Sequence, residues 1–93
     1  MAWERRTTSG LVTPGPVSLT RLVILSNATS DGVTVYDGRD APSGHLIGEF
    51  QGEAYVSTPI VFNPPIYCEN GIYLSLDTNV VEVLVEWESA RRS

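Results

Sequence analysis

The sequence predicts an all-β protein: an antiparallel β-sandwich, jelly-roll-like, of about seven or eight strands with an extended N-terminal arm. Three observations carry that expectation. Val, Ile, Thr, Tyr and Phe crowd each segment of residues 17–88, where valine is the commonest residue. Gly, Pro, Asn and Asp interrupt the chain about every 8–12 residues, the spacing of sandwich strands. No long stretch carries apolar residues at the 3.6-residue helical period.

Residues 1–16 read as a polar arm closed by Leu11-Val12-Thr13-Pro14-Gly15-Pro16, whose proline spacing forbids helix. Residues 17–88 form the body and 89–93 a short basic tail. Within the body, Val17–Ser26 switches its apolar phase near Arg21, which a bulge or burial on both faces explains. An Asn27–Ser30 turn leads to a strand over Asp31–Asp37. His45–Gln51 follows with Leu46 and Phe50 inward, then Ala54–Phe62 with Val56, Ile60 and Phe62 inward. Pro64-Pro65 is incompatible with a central strand, so it starts a new strand or crosses between sheets. Asn70-Gly71 predicts a type I′ hairpin, whose two central residues need positive φ. Gly71–Leu76 alternates, with Ile72, Leu74 and Leu76 on one side, and Asp77-Thr78-Asn79 would join it to an antiparallel neighbour. That last strand has Val81, Val83, Val85 and Trp87 as its apolar face, and Glu82, Glu86 and Glu88 as an outward acidic ladder.

A chain of 93 residues buries only about 60–65% of its unfolded surface and is expected to need support beyond its core. One cysteine, Cys68, excludes an internal disulfide, and one histidine, His45, leaves no ligand set for structural zinc. A partner subunit is the remaining source of stability. Six arginines and no lysine face eleven acids, a net charge of −5. That balance argues against nucleic acid and anionic membranes as partners. The longest apolar run, Leu22–Leu25, is far too short to span a bilayer. Polar residues follow Arg5-Arg6 where a signal peptide would need an apolar core, so synthesis in the cytoplasm is expected. The charge is unevenly spread: residues 11–88 carry two arginines and ten acids, or −8, residues 1–10 carry +1 and residues 89–93 carry +2.

No catalytic, cofactor-binding or metal-binding residue is assigned. Asp40, Ser43 and His45 share one loop, but Gly, Pro, Ser and Asp there are ordinary turn-makers. Asp31, Asp37 and Asp40 lack the spacing of a calcium loop. His45 and Glu49 would share one strand face as a solvated pair, with pH sensing the sharper reading. Cys68 reads as a small buried residue. Asn27-Ala28-Thr29 matches a glycosylation sequon and reads as a chance match, since no secretory leader is expected. Tyr36, Tyr55, Tyr67 and Tyr73 lack the basic neighbours of a single-strand nucleic-acid groove. The candidate interface residues are Trp3, as an apolar anchor, with Arg5, Arg6, Arg91 and Arg92, whose guanidinium groups suit carboxylates on an acidic partner.

Val33-Thr34-Val35-Tyr36-Asp37-Gly38, Ser43-Gly44-His45-Leu46-Ile47, Pro59-Ile60 and Asn70-Gly71-Ile72-Tyr73-Leu74, in that order, resemble small all-β virion proteins of tailed bacteriophages. The type is the decoration, or cement, protein of assembled capsids. The resemblance covers residues 17–88 and brings no catalytic residues. It implies a non-enzymatic homo-oligomer, with a trimer favoured, that binds the major capsid protein. Its place would be the capsid surface of the virion, after assembly in the host cytoplasm. Similar segments occur in tail, baseplate and fibre-associated adaptors. A carbohydrate-binding sandwich, stacking sugars on exposed aromatic rings, is the reading from another class.

Overall fold

Alternation of apolar and polar residues gives each strand one face to bury, and such faces are stable only against one another. The computed structural model describes residues 2–27, 32–39, 45–52 and 55–89. It contains β1 (Ala2–Arg6), β2 (Gly10–Pro14), β3 (Val17–Ser26), β4 (Gly32–Asp37), β5 (His45–Gln51), β6 (Ser57–Cys68), β7 (Gly71–Leu76) and β8 (Val80–Ser89). Two four-stranded antiparallel sheets result, ordered β1-β8-β3-β6 and β2-β7-β4-β5. There is no helix among the described residues.

Four pairings, β1 with β8, β2 with β7, β3 with β6 and β4 with β5, lay the first half of the chain antiparallel along the second. Winding that ribbon brings β3 onto β8 and β4 onto β7. This is the winding of a jelly roll, and the all-β sandwich expected from the sequence is what the chain forms. Only β4 and β5 are both consecutive and paired; every other connection passes from one sheet to the other.

Two local expectations fail for that reason. Asn70-Gly71 does not close a hairpin, because β6 and β7 lie in different sheets. Gly71 still uses its freedom: its φ is +136°, and a Cβ there would stand 2.5 Å from the Thr13 carbonyl oxygen. Likewise β7 and β8 are not neighbours, and Asp77–Asn79 crosses between sheets. Asp77 fixes that corner by accepting from the Gly32 N–H at 2.9 Å and donating its own N–H to the Gly32 carbonyl at 3.1 Å.

The N-terminal segment is not a free arm. Residues 2–6 and 10–14 are edge strands, one in each sheet, with Arg6 opposite Val83 and Leu11 opposite Tyr73. Pairing satisfies backbone groups that β8 and β7 would otherwise leave at open edges. Pro14-Gly15-Pro16 then forms the corner to β3, so the proline signal marks a turn between sheets.

Val17, Leu19, Leu22 and Ile24 of β3, Val33 and Val35 of β4, Cys68, Ile72 and Leu74, and Val80, Val83 and Val85 form the core. The phase switch near Arg21 is a bulge at Thr20: Leu19 faces Trp87 and Arg21 faces Glu86. Pro64 and Pro65 fall where edge strand β6 loses its pairing, between Val61 and Ile66.

Three residues expected inward are exposed. Val81 is the extra residue of a bulge, since Ser26 faces Val80 and Leu25 faces Glu82; Val80 turns inward in its place. Ile47 is a bulge of β5, which sends Leu46 to solvent and packs Ile47 on the core. Val56 precedes β6 and is outside the ladder.

Leu22→Ala should cost about 2–5 kcal/mol in urea unfolding, because Leu22 has no exposed surface. Leu46→Ala should change stability by less than about 0.5 kcal/mol. Comparable losses for the two would contradict this core.

Candidate interaction surfaces

Because paired residues share a face, the buried pairs Ile24–Val83 and Leu22–Val85 fix which side of β1-β8-β3-β6 points outward. Glu4 lies opposite Val85 and Arg6 opposite Val83, so both turn toward the gap between sheets. Trp3 and Arg5 take the outer face, opposite Glu86 and Leu84.

The two N-terminal arginines therefore do different work. Arg6 pairs with Glu4 at 3.1 Å and donates to the carbonyls of Thr8, Leu11 and Ser9 at 3.2, 3.2 and 3.4 Å. It ties the β1–β2 connection together and is not offered to a partner. Arg5 forms an ion pair with Glu82 on the outer face. Trp3 keeps 66% of its surface exposed and remains available as an anchor. Arg91 and Arg92 lie outside the described residues.

The expected acidic ladder of β8 is there, but it is not bare. Glu82 is paired with Arg5 and Glu86 with Arg21 of β3. Between these pairs runs an apolar band: Leu84 faces Val23, which faces Pro59, with exposed Val61 and Tyr67 on β6.

A second row crosses the outer face of the other sheet. Leu11 faces Tyr73, Tyr73 faces Tyr36 and Tyr36 faces Leu46, one residue from each strand in register. The Tyr36 and Tyr73 rings meet edge to face, with centroids 6.3 Å apart and planes at 69°. Thr34, Ser75 and Glu49 form the adjacent polar row. Local sequence reading missed both rows, because their members are far apart in the chain; the first had one local signal, Leu84, an apolar residue between Glu82 and Glu86 in the outward phase of its strand.

Other sequence candidates are dispersed. Asp40, Ser43, Asp31 and Ala28-Thr29 of the sequon lie outside the described residues. His45 is exposed opposite Asp37, and Glu49 is opposite Thr34; the Ile47 bulge between them reverses the alternation and places them on opposite faces. No group of three metal-ligating side chains occurs among the described residues. Asp37 accepts from the backbone N–H groups of Glu69 and Asn70 at 3.2 and 2.9 Å, capping the β6–β7 corner. A small cleft lined by Thr34, Glu49, Gln51 and Asp77 opens at the Gly32 end of the second sheet.

Cys68 is fully buried, as expected. Burial first, and the nearby Asp37 charge second, push its thiol from 9.0 up to about 12. No family model matches the chain, and no curated protein or solved structure is significantly similar to it. The fold defines the class: an all-β jelly-roll sandwich with two patterned outer faces.

Two outcomes follow from these placements. Arg6→Ala should lose about 1–2 kcal/mol, since it strips a charged donor from several carbonyls, while Arg5→Ala should lose less than about 1 kcal/mol at an exposed pair. Equal losses in chemical unfolding would refute the distinction. A raised thiol pKa means the protonated form is favoured by folding, so its contribution is intact below about pH 9 and fades as pH rises toward 12. Stability should fall over that window less in Cys68→Ala than in the parent, and native Cys68 should resist thiol reagents until the chain unfolds.

Proposed function

We propose that the protein is a non-enzymatic structural module of a bacteriophage particle, decorating an assembled capsid and stabilising it by binding capsid subunits. The resemblance of residues 33–38, 43–47, 59–60 and 70–74 to virion decoration proteins supplies the class of partner. The observation that supports docking is the Leu11–Tyr73–Tyr36–Leu46 row, which spans the full width of one sheet. Tyrosines on a rigid sheet contribute contact area at small entropic cost, and their hydroxyls serve a polar rim. Binding the closed shell and not free subunits would favour the shell by mass action. The protein would act as a homo-oligomer on the capsid surface, having assembled in the host cytoplasm.

The same row favours carbohydrate binding as a second reading, since tyrosine rings stack on sugars and Thr34, Ser75 and Glu49 offer hydrogen bonds beside them.

Saturable binding to emptied capsids, with a higher capsid melting temperature, is the expected result. Tyr36→Ala and Leu46→Glu should each weaken it at least about tenfold. Binding to isolated tails instead would assign an adaptor role, and glycan-array affinity lost in Tyr36→Ala would assign the second reading. No affinity for capsids overturns the proposal. Point variants are the sound test, because removing residues 1–10 would strip β1 from β8.

A further inference from the structure

We infer that the outer face of the β1-β8-β3-β6 sheet is where a second copy of this chain docks, face to face about a two-fold axis. Three observations carry the inference. The first is apolar content in outward positions: Val23, Leu25 and Leu84 on the two central strands, with Pro59, Val61 and Tyr67 on one edge and Trp3 on the other. Val61 is 68% and Tyr67 43% exposed, so this apolar edge is open to solvent.

The second is charge. The face carries Arg5 and Arg21 against Glu82, Glu86 and Glu88, a net of −1, so −4 of the chain's −5 lies elsewhere. Two copies of an acidic protein repel through most orientations, and this face would add one excess acid per copy to the contact. Its Arg5–Glu82 and Arg21–Glu86 pairs are already made within each copy, so of the face's charges only Glu88 stands outside an ion pair among the described residues. A partner of opposite charge would find little to recognise here; an identical copy is opposed only by Glu88.

The third is size. Central strands of ten residues and four strands of width give about 500–600 Å² per copy, or about 1,000–1,200 Å² in total, at the lower end of specific interfaces. Sheets packed face to face interlock their side chains at about 10 Å separation. A surface that meets itself about a two-fold closes at two copies. The pair would place both Leu11–Tyr73–Tyr36–Leu46 rows on opposite outer sides, free for another partner. The candidate anchor Trp3 sits at the rim, beside Glu86.

This inference rests on the homo-oligomer of the proposed function, as a dimer in place of the trimer that the resemblance favours, but not on its capsid partner. Sedimentation analysis over a dilution series should give twice the chain mass. Val61→Glu and Trp3→Ala, both at exposed positions, should raise the dissociation constant, by at least about tenfold for the charge insertion, with the β-type circular dichroism unchanged. Leu46→Glu, on the other sheet, should leave the dimer intact. A monomer at every concentration, a trimer, or dissociation by Leu46→Glu with Val61→Glu still dimeric would overturn the inference. Loss of capsid binding with the dimer intact would count against the decoration reading alone.

Discussion

The pairing of β3 with β8 is the constraint on which the rest of the molecule depends. These ten-residue strands come from opposite halves of the chain, and each is the central partner of two others. Their contact closes a loop of most of the body, and seven of the twelve core residues stand on them. A one-residue slip in a ladder exchanges its two faces. The bulges at Thr20 and Val81 are therefore part of the specification: they let Leu19 and Leu22 both point inward on one strand, and Val80 and Val83 on the other. Between the bulges the register also aligns Arg21 with Glu86, so the choice that fills the core sets the surface charge pattern as well.

How much of this was legible follows from range. Period-two alternation is local, and it identified the strands Val17–Ser26, Gly71–Leu76 and Val80–Glu88, the phase change near Arg21, and the class of fold. What alternation does not encode is which sheet a strand joins. Asn70-Gly71 has the local chemistry of a hairpin, yet the jelly-roll winding sends β6 and β7 to different sheets, and the glycine serves a corner instead. Leu46 and Val81 were misjudged for a related reason. Each lies at a bulge, and a bulge shifts the phase without leaving a mark in composition. Pro14-Gly15-Pro16 was read as a boundary, and it is one, but between sheets rather than between arm and body.

The surface shows the same division. Glu82, Glu86 and Glu88 do point outward, as alternation requires. That Arg5 and Arg21 would meet two of them depends on pairings across most of the chain. Charge counting by segment assigned Arg5 and Arg6 to one basic arm. Pairing with β8 separates them: adjacent residues of a strand take opposite faces, so Arg5 belongs to the outer surface and Arg6 to the β1–β2 connection. Of the two, only Arg5 keeps a place on a surface that a partner could touch.

A sandwich this small has two routes to a partner, through sheet edges or through sheet faces. The edges are poorly suited. β1 has five residues and carries Glu4-Arg5-Arg6. β6 is interrupted by Pro59, Pro64 and Pro65, which lack the N–H a further strand would need. β2 contains a bulge at Val12 and ends at Pro14, and β5 contains the bulge at Ile47. Short, charged, proline-bearing and bulged strands are the means by which sheets avoid adding strands to themselves. The outer faces carry the opposite pattern: Leu11, Tyr73, Tyr36 and Leu46 align in register across one sheet, and Leu84, Val23 and Pro59 across three strands of the other. Where a sequence blunts all four edges and lines both faces with apolar residues, the faces rather than the edges are the surfaces suited to the proposed contacts.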